Sequence, residues 1–251
     1  MPTTPGSLML LRHGESVGNA LGIFTGVLDV ALTPVGEQAS HDAGARLAAL
    51  GWRPDVILAS ELVRSWHTAD LVAEALGGDV PVVRDWRLDE RSYGALSGYL
   101  KTEVAERYGV EQFLHWRRSL EGRPPALAPQ TVALWRTLPP FAGLPPEAVA
   151  ATESLADVVV RLEPLWRGPL SEHLRAGRHV LVVAHGNSLR ALCGLLDDLD
   201  GEELRRLNLP NARPLAYELG PDLRPLVRGG RYLDPRAAHA EALAIAQQGG
   251  T

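Results

Sequence analysis

The chain has 251 residues, of which 45% are hydrophobic and 22% are charged, a composition typical of a soluble globular protein. Its formal net charge of −5 excludes a general polyanion binder, so any anion site must be a local cluster of Arg and Lys. The single cysteine, Cys193, excludes an intramolecular disulfide and is expected to be a buried thiol.

The sequence carries neither a metal-ligand motif nor a targeting segment. No cluster of His and Cys has metal-ligand spacing, and the amino terminus lacks the basic and apolar regions of a signal peptide. No apolar run approaches the roughly 20 residues that span a bilayer. These features predict a cytoplasmic enzyme or binding protein without a metal.

Apolar runs and helical patterns alternate in the first third of the chain. Thr33 and Pro34 predict the N-cap and first position of a helix, and Ser60 is a candidate cap for the next one. The predicted elements are strands at 8–11, 56–59 and 80–83 and helices at 33–50 and 60–76. This alternation predicts an α/β fold with a mostly parallel central sheet flanked by helices on both faces.

The middle of the chain departs from this alternation. Helices are predicted at about 101–108 and 110–119, and residues 122–150 are rich in Pro and Ala. Trp135 and Phe141 favour an ordered excursion that packs on the molecule rather than a linker. We therefore expect a helical insertion at about 90–150.

The last third returns to the alternation. Ser154 and Asp157 resemble a capping box at the start of a helix. The predicted elements are a helix at 154–175, a strand at 179–184, a helix at 188–196 and a strand at 215–219. We expect one α/β catalytic domain over residues 8–228 and a carboxyl-terminal tail, 229–251, that is a candidate for a mobile lid.

Two apolar runs end in a histidine followed by a glycine. The first run leads into His13 and Gly14, and the second leads into His185 and Gly186. Open α/β sheets place their ligand crevices at the carboxyl ends of strands. A lone histidine there is usually a core side chain, but two of the same design predict one shared site.

The residues around these histidines suit phosphoryl transfer. A neutral imidazole is nucleophilic when a backbone carbonyl holds its second nitrogen. Arg12 and Arg64 could bind the phosphoryl oxygens, although the commoner fate of Arg64 is a solvated helix charge. His185 is a candidate second donor, and the backbone N–H groups of Gly186 and Asn187, which open a helix, form a natural anion site.

A proton donor for the leaving oxygen is also required, and Glu90 in a polar turn is the candidate. Four cations follow over a short span, namely Arg91, Lys101, Arg117 and Arg118. A solvated basic face explains these cations equally well, and acidic residues nearby support that alternative. Only spatial convergence can decide between the two interpretations.

The motifs together resemble the cofactor-dependent phosphoglycerate mutases of the histidine phosphatase superfamily, in the family's order over about residues 8–235. The Arg-His-Gly element alone marks only the superfamily, whereas Glu-Arg-x-Tyr-Gly, Trp-Arg-Arg and His-Gly-Asn-Ser together mark the mutases. The matching blocks are Leu11-Arg12-His13-Gly14-Glu15-Ser16, Asn19, Phe24-Thr25-Gly26, Asp29-Val30, Leu32-Thr33, Ser60-Glu61-Leu62-Val63-Arg64, Thr68-Ala69, Glu90-Arg91-Ser92-Tyr93-Gly94-Ala95-Leu96-Ser97-Gly98, Lys101, Trp116-Arg117-Arg118, Pro124-Pro125, Glu153-Ser154-Leu155, Ala184-His185-Gly186-Asn187-Ser188-Leu189-Arg190, Leu207-Asn208-Leu209-Pro210 and Tyr217-Glu218-Leu219.

The resemblance implies a three-layer α/β fold and a role for each matched residue. His13 would be the phosphohistidine nucleophile and Glu90 the general acid and base, while Arg12, Arg64 and His185 would stabilise the transferring phosphoryl group. The substrate-binding residues would be Arg12, His13, Gly14, Glu15, Ser16, Asn19, Thr25, Gly26, Arg64, Glu90, Arg91, Ser92, Tyr93, Lys101, Arg117, Arg118, Gly186 and Asn187.

The resemblance also implies the activity. The family interconverts 3-phosphoglycerate and 2-phosphoglycerate in glycolysis and gluconeogenesis, is primed by 2,3-bisphosphoglycerate, and forms homodimers or homotetramers without metal, nucleic acid or membrane. The alternative is a broad-specificity phosphatase on the same fold, in which water accepts the phosphate from His13. A catalytically dead scaffold is a third hypothesis, which the presence of both His13 and Glu90 disfavours.

Several positions depart from the family pattern. Gly18 and Val27 stand where tryptophan is usual, Ser92 where histidine is common, and Leu100 where asparagine is common. Residues 211–213 replace the usual Thr-Gly pair, so that Arg213 adds a cation. None of these departures removes a catalytic group, and together they indicate a divergent subgroup.

Overall fold

Six strands form one sheet in the computed structural model, which describes residues 5–247. The strands are β1 (Leu8–Arg12), β2 (Val56–Ala59), β3 (Val82–Arg84), β4 (Val180–Ala184), β5 (Leu215–Tyr217) and β6 (Arg231–Tyr232). Their order is β3-β2-β4-β1-β5-β6. The pairings β1–β4, β2–β4 and β2–β3 are parallel, whereas β1–β5 and β5–β6 are antiparallel. The predicted mostly parallel α/β sheet is confirmed.

The three central strands owe their position to continuous apolar runs. Every residue of β1, β2 and β4 is buried, as expected for parallel strands covered on both faces. In β1, Leu8 and Leu10 pack into one hydrophobic cluster while Met9 and Leu11 pack into another, because successive side chains point to opposite faces. Two separate apolar layers therefore lie on the two sides of the sheet.

Helices cover both layers. The helices are α1 (Val17–Ala20), α2 (Pro34–Ala49), α3 (Val63–Ala75), α4 (Lys101–Tyr108), α5 (Val110–Arg118), α6 (Pro129–Trp135), α7 (Leu155–Leu165), α8 (Ser171–Arg175), α9 (Gly186–Asp197), α10 (Gly201–Arg206) and α11 (Pro235–Gln247). Residues of α2 and α3 pack on one face of the sheet, and residues of α7 and α9 pack on the other. The result is the three-layer arrangement that the sequence predicts.

Helix caps follow the sequence signals with one exception. The Thr33 hydroxyl accepts from the backbone N–H of Gly36, and Ser154 and Asp157 form a capping box on α7. Ser60 does not cap α3, which begins after Leu62 without a side-chain cap. The predicted Ser60 cap is wrong because the Ser60 hydroxyl is instead hydrogen bonded to His185.

Prolines explain two of the differences between the predicted and observed bounds of the elements. The helix expected over 154–175 is interrupted between α7 and α8, where Gly168 has φ −104° and ψ −110° and lies just before Pro169. A proline cannot donate to the helical ladder, so this segment departs from α geometry. Strand β3 begins at Val82 rather than residue 80, because Pro81 has no N–H for the sheet ladder.

The middle of the chain packs through two small apolar clusters. Phe24, from the loop before α2, packs with Tyr93, Phe113 and Trp116. Phe141 lies in a second cluster, against which the partly buried Trp135 packs. These clusters hold α4, α5 and α6 beside the carboxyl ends of the strands.

The carboxyl-terminal segment contains β6 and α11. Two surface ion pairs hold it, one between Arg46 and Asp234 at 3.1 Å and one between Arg213 and Glu241 at 2.5 Å. Residues 248–251 of the predicted 229–251 tail lie outside the described part of the chain. No helix within residues 5–247 is long and apolar enough to cross a membrane.

Candidate active site

His13 follows β1 and is held by backbone contacts. Strand pairing places Arg12 beside Ala184, and the His13 N–H donates to the Ala184 carbonyl at 3.0 Å. The His13 Nδ1 lies 2.6 Å from the Gly14 carbonyl, which can only accept. Nδ1 therefore carries the proton, and Nε2 keeps its lone pair.

The electrostatics keep this imidazole neutral. Burial, followed by the positive charges of Arg64 and Arg12, holds the pKa of His13 well below its usual range. A neutral ring with a fixed tautomer is the nucleophilic form of histidine at neutral pH. The side chain therefore has the protonation state that a phosphoryl acceptor requires.

The parallel pairing of β1 and β4 brings the second histidine to the same place. The rings of His13 and His185 are 4.9 Å apart between centroids. The His185 Nε2 is hydrogen bonded to the Ser60 hydroxyl at 2.6 Å, and burial lowers the pKa of His185 well below its usual value. The predicted convergence of the two histidine turns is observed.

Two buried guanidinium groups stand beside the histidines. Arg64 is 1% exposed, so it is not the solvated helix charge that its position in the sequence also allowed. It donates to the carbonyls of Leu28 and Gly26, both at 2.7 Å. Arg12 donates to the Leu209 carbonyl at 2.8 Å, while its Nε has no partner within the described residues. Burial lowers the pKa of Arg64 to about 10, which leaves it charged at neutral pH.

Glu90 closes the other side of the crevice. Its carboxylate accepts from the backbone N–H of Asn187 at 3.2 Å and from that of Arg91 at 2.7 Å. The sequence predicted the first N–H groups of α9 as an anion site. In the structure, the Asn187 N–H binds the carboxylate of the protein's own Glu90.

A second cluster of cations lies next to Glu90. Arg91 and Arg117 are fully buried and Arg118 is 7% exposed, which argues against a solvated basic face. Burial lowers the pKa of Arg117 and Arg118 to about 10 each and that of Lys101 to about 7.

Backbone carbonyls and aromatic rings anchor this cluster. Arg91 donates to the Trp116 carbonyl at 2.7 Å and lies 4.5 Å from the Tyr93 ring centroid. Arg118 donates to the carbonyls of Arg205 and Leu207. Arg91 Nε and Nη1 and Arg118 Nη1 have no partner among residues 5–247. Because their anchors are uncharged, these guanidinium groups keep positive charge for an anion.

A narrow crevice reaches Arg12, Arg64 and Lys101, whereas Arg91, Arg117 and Arg118 are buried next to it and are not among its lining residues. It is lined by Arg12, His13, Ser16, Asn19, Ile23, Phe24, Thr25, Gly26, Arg64, Glu90, Tyr93 and Lys101. A wider cavity of about 480 Å³ shares Arg12, Asn19 and Lys101 with the crevice and extends to Arg213 and Glu241. The wider cavity gives the crevice an opening beneath α11.

Several other predicted residues contact the residues around the crevice. Asn187 donates to the Tyr93 hydroxyl at 3.1 Å, and Glu15 accepts from the Thr33 hydroxyl at 2.8 Å. A Cβ on Gly14 would lie 2.2 Å from the Gly36 carbonyl oxygen, so only glycine fits this approach. Ser92 is buried and does not line the crevice.

The departures from the family pattern have local explanations. A Cβ on Gly18 would lie 2.2 Å from the Thr25 hydroxyl, so a larger residue there would require the Thr25 loop to move. Val27 is buried in the cluster around Phe141. Arg213 forms an ion pair with Glu241 at the wall of the wider cavity.

Sequence reasoning did not assign three residues that hold the site together. Thr68 accepts from the Gly14 N–H at 3.1 Å, and Asn211 donates to the His13 carbonyl at 2.7 Å. Arg190 is fully buried and donates to the Asn187 side chain at 3.0 Å. Thr68 lies one helical turn after Arg64, and this position could have indicated its role. Asn211 is far from its partner His13 in the sequence. Arg190 is close to its partner Asn187, but no local signal distinguishes it from a solvated arginine.

The metal-ligating residue types and the single thiol lie as follows in the described residues. Within the described part of the chain, no group of three or more His, Cys, Asp or Glu side chains could hold a metal ion. Cys193 is buried, and burial raises its thiol pKa to about 12. Such a thiol is protonated at neutral pH and is not a nucleophile.

Comparison with protein families gives one clear match. The model of the histidine phosphatase superfamily (branch 1) matches residues 8–228. The matched region contains both histidine turns, Glu90 and every cation described above.

Two curated relatives resemble almost the whole chain. A protein of Thermobifida fusca (strain YX), named 2,3-bisphosphoglycerate-dependent phosphoglycerate mutase, is 48% identical over 244 residues, which is 97% of this chain and 99% of the relative. A protein of Rhodococcus opacus (strain B4) with the same name is 48% identical over 246 residues, covering 98% of this chain and 97% of the relative.

A solved structure shares the fold. A mycobacterial glucosyl-3-phosphoglycerate phosphatase complexed with VO3 has a TM-score of 0.64 and 26% sequence identity. The similarity covers 84% of this chain and 92% of that one. The fold is therefore shared with a protein named for phosphatase activity, whereas the sequence relatives at 48% identity are named for mutase activity.

Proposed function

This chain belongs to branch 1 of the histidine phosphatase superfamily, and on that premise we propose that it is a 2,3-bisphosphoglycerate-dependent phosphoglycerate mutase. It interconverts 3-phosphoglycerate and 2-phosphoglycerate, a reaction of glycolysis and gluconeogenesis that takes place in the cytoplasm. The observation that carries this proposal is the second buried cation cluster beyond Glu90, because hydrolysis of simple phosphomonoesters needs charge only at the transferring phosphoryl group.

His13 acts as the phosphoryl acceptor. Its Nε2 attacks phosphorus because the Gly14 carbonyl holds the proton on Nδ1. Arg12 and Arg64 neutralise the charge on the equatorial oxygens, and His185 also stabilises the transferring phosphoryl group. All three are buried, so water screens their interactions with the phosphoryl group only weakly.

Glu90 moves the proton. When the bond between phosphorus and the leaving oxygen breaks, the carboxyl group of Glu90 gives its proton to that oxygen. In the reverse transfer, the carboxylate takes the proton from the accepting hydroxyl group. The contacts from Asn187 and Arg91 fix the carboxyl group beside the crevice for both steps.

The residues present fit 2,3-bisphosphoglycerate, which supplies the phosphoryl group that primes His13. Unpartnered buried nitrogens of Arg12, Arg91 and Arg118 are donors suited to an anion with several charged groups. Arg12, Arg64 and His185 would hold one phosphoryl group. Lys101, Arg91, Arg117 and Arg118 would hold the carboxylate and the other phosphoryl group, and Ser16, Asn19, Thr25, Gly26 and Tyr93 would line the path between them.

The test of the proposal compares isomerisation with phosphate release. With 3-phosphoglycerate and a catalytic amount of bisphosphate, we expect 2-phosphoglycerate to form at least about 100-fold faster than inorganic phosphate. Arg118→Met removes one cation of the second cluster and should lower isomerisation about 30-fold, since a charge-assisted hydrogen bond contributes about 2 kcal/mol. The released fraction should rise in this variant, because the bisphosphate is held less tightly.

The matched control is Arg206→Met, which changes an exposed arginine on α10 and should leave both rates unchanged. Rapid phosphate release from many phosphomonoesters without isomerisation would instead establish the phosphatase alternative.

The pH dependence of kcat/KM should follow the protonation of Lys101. Burial and the nearby positive charges of Arg117 and Arg12 lower the pKa of Lys101 to about 7. Lys101 is therefore a cation below this pH and loses its charge above it, so kcat/KM for 3-phosphoglycerate should fall as pH rises through about 7. Lys101→Arg should move this alkaline limb to higher pH, since a guanidinium group stays charged. If the alkaline limb of the pH profile is unchanged in Lys101→Arg, the titration belongs to a group other than Lys101.

We further propose a homodimer or homotetramer, as the family resemblance implies. The support in this chain is a set of exposed apolar side chains near α4 and α5, including Tyr99, Tyr108 and Val110. Light scattering at micromolar concentration distinguishes these assemblies from a monomer.

A further inference from the structure

One buried arginine of α7, Arg161, binds the backbone of the loop that carries Glu90. Arg161 Nη1 donates to the carbonyls of Arg87 at 2.8 Å and Asp89 at 3.1 Å. Its Nη2 donates to the Asp89 carbonyl at 3.1 Å and lies 3.5 Å from that of Glu90. One rigid guanidinium group thus binds several carbonyls of the segment that leads into Glu90.

A carboxylate holds the other side of the same loop. Glu153 Oε1 accepts from Arg161 Nε at 2.9 Å, and Glu153 Oε2 accepts from the Ser92 N–H at 2.9 Å. The Glu153 N–H donates to the Ser92 carbonyl at 3.0 Å. The side chains of Arg161 and Glu153 are only 9% and 8% exposed. The pair therefore fixes the backbone immediately before and after Glu90.

We propose that Arg161, through its ion pair with Glu153, is a positioning residue that aims the carboxyl group of Glu90 at the leaving oxygen. This inference rests on the proposed function and on the proton-transfer role of Glu90. Arg161 does not line the crevice and acts only through the loop. Catalytic groups must be held within about 0.5 Å of their productive position, and a misplacement of about 1 Å costs roughly 100-fold in rate.

The chemistry of the transfer supplies a selective test. His13 Nε2 forms a bond to phosphorus, the bond to the leaving oxygen breaks, and that oxygen takes its proton from Glu90. An alkoxide leaving group requires this proton, whereas p-nitrophenolate is stable without it. A misplaced Glu90 should therefore slow transfer from phosphoglycerates but not from p-nitrophenyl phosphate.

The experiment uses Arg161→Lys in the full chain. Lysine keeps a positive charge beside Glu153 but lacks the planar fork that spans the carbonyls of Arg87 and Asp89. We expect phosphorylation of His13 by 2,3-bisphosphoglycerate to slow about 30-fold, and phosphorylation by p-nitrophenyl phosphate to change less than about 3-fold. Glu153→Gln weakens the ion pair and should slow phosphorylation by 2,3-bisphosphoglycerate about 5-fold, again with little effect on phosphorylation by p-nitrophenyl phosphate. This variant provides the test if Arg161→Lys folds poorly.

Two further variants separate the possible outcomes. Arg167→Lys changes an exposed arginine just after α7 and should alter neither reaction. Glu90→Gln should show the same selectivity as Arg161→Lys, with a larger effect. If Arg161→Lys and Glu153→Gln slow both donors equally while Glu90→Gln is selective, the positioning role is overturned and the proposed function stands.

If Glu90→Gln is itself unselective, Glu90 does not protonate the leaving oxygen and the inference fails with that role. If the wild-type chain releases phosphate without isomerising phosphoglycerates, the proposed function fails. The ratio of the two donors then still tests whether Arg161 positions Glu90.

Discussion

Replacing His13 with alanine is expected to abolish phosphoenzyme formation and to lower isomerisation by about 10⁵-fold or more, because the variant lacks the proposed phosphoryl acceptor. The His13 ring lines the crevice, and the Gly14 carbonyl at 2.6 Å fixes its tautomer. His185 is not among the residues that line the crevice, and its Nε2 is hydrogen bonded to the Ser60 hydroxyl.

The measurement is incorporation of labelled phosphate from 2,3-bisphosphoglycerate into the protein, as acid-labile and alkali-stable label. The matched control is His41→Ala, which removes an exposed histidine from α2 and should label like the wild type. Persistent labelling of the His13→Ala protein would show that another side chain is the acceptor.

Glu90→Gln should lower kcat about 10³-fold, within the range of general acid–base catalysis. Glutamine can still accept from the N–H groups of Asn187 and Arg91, so the loop geometry is preserved while the transferable proton is lost. The variant also removes a negative charge that favours the charged forms of Arg12 and Arg64.

This change of charge predicts that Glu90→Gln affects kcat and KM differently. Anion binding should be as tight as in the wild type or tighter, because the cations gain net positive charge while catalysis is lost. Steady-state kinetics with 3-phosphoglycerate and titration with inorganic phosphate measure the two effects. Glu111→Gln, an exposed carboxamide variant on α5, is the control. A rise in KM with unchanged kcat would make Glu90 a binding residue instead.

Local sequence signals predicted most of the fold. The apolar runs of β1, β2 and β4 are too short and too continuous for surface helices, and they form the buried centre of the sheet. The Thr33-Pro34 and Ser154-Asp157 caps are confirmed because the groups involved are within four residues of each other. The Ser60 cap was wrong since a distant partner, His185, binds the same hydroxyl.

The candidate site was only partly readable from the sequence. His13 and His185 could be paired in advance because each ends a predicted parallel strand, and such ends meet at one edge of the sheet. The cations could not be assigned in this way. Arg91, Arg117 and Arg118 have the same local pattern as solvated arginines, and burial alone distinguishes them.

The sequence by itself determined the central strands, the long helices that cover them and the two histidine turns, because apolar periodicity and capping are set by neighbours along the chain. Tertiary structure alone decided that Glu90 binds the first turn of α9, that four cations gather behind it, and that Arg161 holds its loop. These arrangements join residues that are about 60 to 100 positions apart. Burial disfavours these charges, and backbone carbonyls and counter-charges that are distant in sequence offset that cost, which no local pattern encodes.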